Sequence, residues 1–492
     1  MIFNFNIPLA HGFVIDDMGW RESKSLKPEG PPRLHSTHNA NINDYFNLVA
    51  MAKACGTRVF CAFILGEFDK ENVCAKPCYN MPEAPSNMTE FGLNWKNTVN
   101  DDQIQTMDFL KENSQSIDFA LHGVRHGHYA TGEWEESEWA KRCNKEERLA
   151  GEKITPWDEK NLTNKLTALC YKEILRQYFT EEELPFPESF VPPNHAYFYR
   201  ENAHNTTGAV LSEFGVKYAN FKNTGSGSED HTTDKIINFD HKLTFIDRRG
   251  VKHCSYKKTG AKPFIPPRNF PWIEAHFNNI WGSETYWAKY LKRINLFPNK
   301  MLGKNTEHVF SQWIYKNFAK VKNGLNSVTI DCTQIPEKAY ENEILSYVVL
   351  KIFVGNMEIE SVSGNCDIFA YYKDKFGFAY LTVGRWENLM GRLDREIYKI
   401  TYKVGRKKMP CYVDNSMSTF YPYGLEIGEN EVKLKGKFYG RETVKIKVPF
   451  KVASVTCSKV KILGFKQEKD FLYIDLKALC MLGDTDTIVI GG

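Results

Sequence analysis

The chain has 492 residues, 42% hydrophobic and 25% charged, with 64 basic and 60 acidic side chains for a formal net charge of +4. That near balance, without a dense Lys/Arg block, leaves no footprint for nucleic acid or an acidic membrane surface. No uninterrupted apolar run of about 18 residues exists, so no integral membrane helix is expected, and the length corresponds to roughly two to three domains. Twelve scattered cysteines, Cys74 and Cys78 of CAKPC among them, make no disulfide framework in a chain this long. The N-terminal stretch MIFNFNIPLAHGFVI has neither the basic region nor the small-residue cleavage site of a secretion signal. A cytoplasmic protein with free thiols is expected.

The apolar run GFVI reads as a first buried strand and ends in DDMGW, which carries Asp16, Asp17 and Trp20. A polar loop over residues 19–41 follows, with His35 and His38 as surface residues. Asp44 is then the expected cap of a helix, DYFNLVAMAKACG, with Phe46, Val49 and Ala52 on one face and Gly56 at its end. TRVFCAFIL is a buried strand, and residues 66–100 read as a proline-bearing insertion. Asp101 or Asp102 caps the next helix, whose Ile104, Met107 and Leu110 share a side; the strand IDFAL then leads into LHGVRHGHY, with His122, His126 and His128. A long amphipathic helix over 158–179, the strand ESFVPP, a helix over 208–214 and the strand VKYANF complete the pattern. Alternating strands and helices imply parallel strands covered by helices. If such strands close into a barrel, functional residues gather at their C-terminal ends, where both motifs fall.

From about Val321 the texture changes. SYVVLKIFVG, CDIFAYYK, FGFAYLTVG, EIYKITYKVG, NEVKLKGKF, TVKIKVPF and FLYIDLKAL alternate apolar and polar residues between Gly, Asn or Asp. This is the pattern of an antiparallel β-sandwich. The expected division is an α/β domain over 1–320 and a β-sandwich domain over 321–492.

A DD dipeptide alone is usually a turn or a cap, and an isolated H-x3-H is usually a pair of surface or packed histidines. Placed in order after predicted strands, they suit a metal. A catalytic zinc-type site needs about three protein ligands and an open position for a water, which the ion acidifies. His122 and His126 with Asp17 supply three, leaving Asp16 to take a proton. Neighbouring residues on an extended strand point to opposite sides, so the backbone must bend near Met18 and Gly19 for both carboxylates to serve.

These two motifs, with the proline-bearing strand end FVPPNHAYF and the late histidine of WIEAHFNNIW, together resemble the polysaccharide deacetylase family, carbohydrate esterase family 4 and its relatives. LHGVRHG is similar to the LHG-x-x-H signature of a divergent branch. The resemblance covers roughly residues 10–290 and implies a distorted (β/α) barrel with a divalent metal, most often zinc. It implies removal of an acetyl group from an amino sugar or acetylated glycan, with metal-activated water as nucleophile and Asp16 as base. Asp17, His122 and His126 would be the ligands, and His276 the acid for the leaving nitrogen or oxygen, with His195 its competitor. Trp20, Pro193, Asn194, His195 and Tyr197 would meet the sugar, with Trp272 and Trp281 nearby. A backbone N–H in the 192–195 segment would steady the oxyanion.

Two features depart from the family pattern. The arginine that orients the base is absent from FVPPNHAYF, leaving Arg125 or Arg200 to substitute, and the family's Asp/Trp motif has only Asp230 and Asp240 as candidates. Two other readings compete: a non-catalytic carbohydrate-binding or scaffolding protein on a deacetylase fold, and a metal-dependent amidase for another C–N bond. The sandwich is expected to pack on the first domain, with self-association as a further use.

Overall fold

The computed structural model describes residues 3–19, 40–71, 73, 99–124, 128–130, 133–135, 157–193, 197, 199, 206–221, 237–247 and 270–492. The elements run β1 (Leu9–Met18), α1 (Ile42–Cys55), β2 (Val59–Phe63), α2 (Asp101–Glu112), β3 (Ile117–Leu121), β4 (His128–Ala130), β5 (Glu133–Glu135), α3 (Trp157–Arg176) and β6 (Ser189–Phe190). There follow α4 (Thr207–Glu213), β7 (Tyr218–Phe221), β8 (Ile237–Asp240), β9 (Leu243–Asp247), β10 (Trp272–His276), α5 (Glu284–Arg293), β11 (Lys300–Leu302) and α6 (Thr306–Phe318). A nine-stranded sheet has the order β10-β1-β2-β3-β6-β7-β9-β8, with β11 also on β1. All its pairings are parallel except β8 with β9.

β1, β2 and β3 are buried along their whole length, as parallel strands covered on both faces must be. Alternation sorts their side chains. Phe13, Ile15, Cys61, Phe63 and Phe119 join one core with Tyr45 and Leu48 of α1. Val14, Phe60, Ala62 and Ala120 join another with Val309, Phe310 and Trp313 of α6.

Two helix starts differ from expectation. Asn41, not Asp44, caps α1; Asp44 sits three residues on and accepts the Asn41 N–H, closing a reciprocal capping box. Asn100 caps α2 in the same way with Gln103, in place of Asp101 or Asp102. An aspartate in the first turn satisfies the helix dipole as well as a cap does, so the local signal is one turn wide. Phe46 lies outside the buried face of α1, which is formed by Tyr45, Leu48, Val49 and Ala52, and meets Phe109 of α2 edge-on at 4.4 Å. Between 281 and 320, where the sequence reading assigns no element, stand α5, β11 and α6.

From Lys320 onward the strands form sheets of four, seven and four, antiparallel apart from one parallel contact between Ala370 and Val413. All seven segments expected as strands are strands. Buried cations tie this region to the parallel sheet. Lys304 donates to the carbonyls of Gly56, Asn415, Ser416 and Ser418. Arg58 reaches Ser114, Ile117 and Asp118 and stacks 3.7 Å from the Tyr439 ring centre. The eight described cysteines are unbridged. No described helix is long and apolar enough to cross a membrane.

Candidate metal centre

β1 ends in an irregularity. Its pairing with β2 shifts register between Ile15 and Met18, and Asp17 has φ 60°, in the left-handed region. Aspartate tolerates that region better than most residues, yet the conformation is uncommon outside glycine. It has a consequence for the site. Strict alternation would send Asp16 to the Val14 face and Asp17 to the opposite one; the left-handed turn removes that constraint. Both residues are buried.

Two histidines flank Asp17. His122 follows β3 directly and its Nε2 lies 3.4 Å from Asp17 Oδ1; His276, the last residue of β10, places Nε2 3.5 Å from Oδ2. Asp16 is the register partner of His276 on the neighbouring parallel strand. The His122 N–H donates to Phe63 O at 3.0 Å, and Nδ1 lies 2.7 Å from the carbonyl oxygen of Val191. A carbonyl only accepts, so Nδ1 carries the proton and donates to it, which aims Nε2 at Asp17. Burial opposes charging of the His122 imidazole, but Asp17 and Asp16 outweigh it and raise its pKa above the ordinary histidine value. His276 is the more open of the two, its side chain 20% exposed against 4% for His122.

The pair Asp17 and His122 fits part of a site for a divalent metal. Two ligands on bonds of about 2.1 Å at a tetrahedral angle stand about 3.4 Å apart, the separation found between Nε2 and Oδ1. A histidine whose second nitrogen donates to a carbonyl is also the usual form of a metal ligand. Among the described residues no group of three or more His, Cys, Asp or Glu side chains is spaced to hold a metal alone. His126, the expected third ligand, lies outside them.

The other expected residues divide as follows. Trp20, Arg125, Asn194, His195, Arg200 and Asp230 lie outside the described residues, as do His35 and His38; His128 is described only as backbone of β4. Pro193 is buried just past β6. Tyr197, expected against a sugar, is placed in the core: its ring stacks on Phe221 at 4.5 Å and its hydroxyl donates to Asp240 at 2.7 Å. Trp272 is likewise buried against Phe60 and Phe310, and Trp281 packs on Phe277. Asp240 also accepts from the Thr206 hydroxyl and the Gly208 N–H at the start of α4, a structural use of its carboxylate.

One buried acid escaped the sequence reading. Glu274 lies two residues before His276 on β10, in register with Val14, and is 1% exposed. Alternation puts it on the same face as His276. The available signal was a carboxylate inside an otherwise apolar strand, WIEAH. Comparison with protein-family models, curated proteins and solved structures gives no match to this chain.

Proposed function

We propose that the chain is a metal-dependent hydrolase that removes an acetyl group from an amino sugar or an acetylated glycan. One observation carries the reading: the Asp17 carboxylate stands between His122 and His276, with Asp16 in register beside His276, at the C-terminal ends of β10, β1 and β3, with β2 between the last two. We read the parallel sheet as the wall of a distorted (β/α) barrel of polysaccharide deacetylase type over 1–320, and the antiparallel sheets as a β-sandwich over 321–492.

In this reading Asp17 and His122 hold the metal, with His126 as the third ligand that the family resemblance implies. The bound ion supplies Lewis acidity towards water and the acetyl carbonyl. Asp16 accepts the proton that the attacking water gives up. His276, on the more open side of Asp17, donates a proton to the departing nitrogen or oxygen. Burial of the two aspartates excludes bulk water, which strengthens each of these interactions.

Metal content of the purified protein, measured with acetate release from N-acetylglucosamine oligomers and acetylated xylan, tests the proposal. His122→Ala is expected to lose bound metal. Asp16→Asn should keep the metal and lose about 10²- to 10⁴-fold in rate, the usual span for general acid–base catalysis. Absence of bound metal after careful reconstitution, with no acetate released, would overturn it. Turnover of small amides without acetate release would instead assign another C–N bond.

A further inference from the structure

A cleft lies at the end of the parallel strands opposite the candidate metal centre. Gln115 in its wall precedes β3, whereas His122 follows that strand, so the two are separated by about 20 Å of extended chain. The cleft encloses about 380 Å³, within the range of small-molecule sites. Lys53, in the last turn of α1, and Gln115 form one side; Ser416, Ser418, Arg441 and Tyr473 of the antiparallel region form the other.

The charges around it do not cancel. Lys445 is matched by Asp414 at 2.8 Å. Glu112 is shared by Lys477 at 2.7 Å and Arg441 at 3.6 Å, two cations on one carboxylate. Lys53 meets only the neutral side-chain oxygen of Asn113, at 2.9 Å, among the described residues. The remaining acid, Glu442, is buried on the floor. The Thr419 hydroxyl lies 2.7 Å from the Gln115 carbonyl oxygen and 2.9 Å from Glu442 Oε1. One hydroxyl has one proton. The Thr419 hydroxyl donates to one of these two oxygens at a time, and the Thr419 N–H also donates to Glu442, at 3.3 Å. The Phe420 N–H donates to the other Glu442 oxygen at 2.7 Å. Burial pushes the Glu442 carboxyl up to about 7, against the hydrogen bonds from Thr419 and Phe420 and the charge of Arg58, which favour its ionised form. The lining thus sets three cations, Lys53, Arg441 and Lys445, against two acids, Asp414 and Glu442.

The rest of the wall suits a polyol. Ser416, Ser418 and Thr443 line the cleft together with Tyr473, and the Thr443 hydroxyl donates to Asp475 at 2.6 Å. Hydroxyls beside an aromatic face offer hydrogen bonds and an apolar platform in one site.

We propose that this cleft binds an anionic saccharide, a sugar ring bearing a carboxylate or a phosphate, with Lys53 and Arg441 on the anion and Tyr473 and Ser416 on the ring. The site is independent of the proposed metal centre. Calorimetric titration of the full chain with glucuronate, glucose 6-phosphate, glucose and inorganic phosphate tests it. At least one charged sugar should bind about tenfold more tightly than both glucose and inorganic phosphate, a difference that raised salt narrows; which one binds identifies the anion. Lys53→Ala with Arg441→Ala should abolish the preference, and Lys53→Arg with Arg441→Lys should retain it. Tyr473→Ala should weaken both charged sugars, while His122→Ala leaves binding unchanged. Equal binding of glucose and the charged sugars, phosphate binding as tightly as glucose 6-phosphate, no saturable binding, or indifference to the double alanine variant would each overturn it.

Discussion

Asp17 joins local strain to a local electrostatic purpose. Its left-handed backbone, φ 60°, costs on the order of 1 kcal/mol for a non-glycine residue. The turn frees its carboxylate from the strand's alternation, and the carboxylate stands between two imidazoles. Glu442 is a second buried acid whose surroundings set its charge, and it carries a prediction of its own. Its folded-state pKa is raised from 4.5 to about 7, chiefly by burial. The folded protein therefore holds more protons than the unfolded chain between those values. Stability contributed by this group is complete below about pH 4.5 and is lost as pH rises towards 7, by up to about 3 kcal/mol. Glu442→Gln copies the protonated acid, since its amide can donate to Thr419 while its oxygen accepts from Phe420. Unfolding in urea should show the variant close to the native protein at pH 4.5 and increasingly the more stable of the two up to pH 7.5. A constant difference across that range would place the titration elsewhere. Asp16, Asp17 and His122 drew attention in the sequence because each follows an apolar run that reads as a strand, and the structure brings Asp17 and His122 together. The φ of Asp17 and the burial of Glu274 were not legible there, since both arise from packing against distant strands.

At the scale of elements, periodicity and apolar runs marked β1, β2, β3, β6, β7 and the seven named C-terminal segments, but not the parallel strands β9, β10 and β11. α6 was missed although Val309, Phe310, Trp313 and Ile314 recur at helical spacing. Its polar Ser311 and Gln312 are buried with them, since residues Thr306 to Tyr315 are almost continuously buried. Its start depends on Asn305, which is itself buried. The side-chain oxygen accepts from the His308 N–H at 2.9 Å, and the amide nitrogen donates to the Tyr439 hydroxyl at 3.0 Å. One residue thus caps a helix packed on β1 and links it to the antiparallel region. Asn305→Ala removes both bonds, and it is expected to lower the unfolding free energy by about 2 kcal/mol, the sum of a cap and a buried hydrogen bond. Chemical denaturation checks this; a loss below about 0.5 kcal/mol would mean that water replaces both contacts.

Across the whole molecule, the parallel and antiparallel regions are joined by ammonium groups held in carbonyl cages, an arrangement that no sequence pattern announces because every partner is backbone. Lys351 donates to the carbonyls of Asn295, Phe297 and Lys300 and lies over the Phe378 ring at 4.3 Å, and its own backbone pairs with Asn6 near the chain start. Burial lowers its pKa from 10.5 to about 7, and that of Lys304 from 10.5 to about 8. For a lysine with a depressed folded-state pKa, the unfolded chain binds more protons between the two values. Stability must then rise with pH through that window, by at most about 1.4 kcal/mol per pH unit for each group. Buried tyrosines such as Tyr347 and Tyr421, whose pKa values burial raises well above 10, reverse the trend once the unfolded chain loses its phenolic protons. The observable window is therefore about pH 7 to 10. Lys351→Met leaves three carbonyls without their donor and should destabilise the protein at every pH, so its absolute stability is uninformative. The slope is the test. Melting temperature measured at intervals from pH 7 to 10 should climb less steeply in Lys351→Met than in the native protein. Parallel slopes would show that the ammonium keeps its proton in the cage throughout, with the three carbonyls holding the charge against the cost of burial.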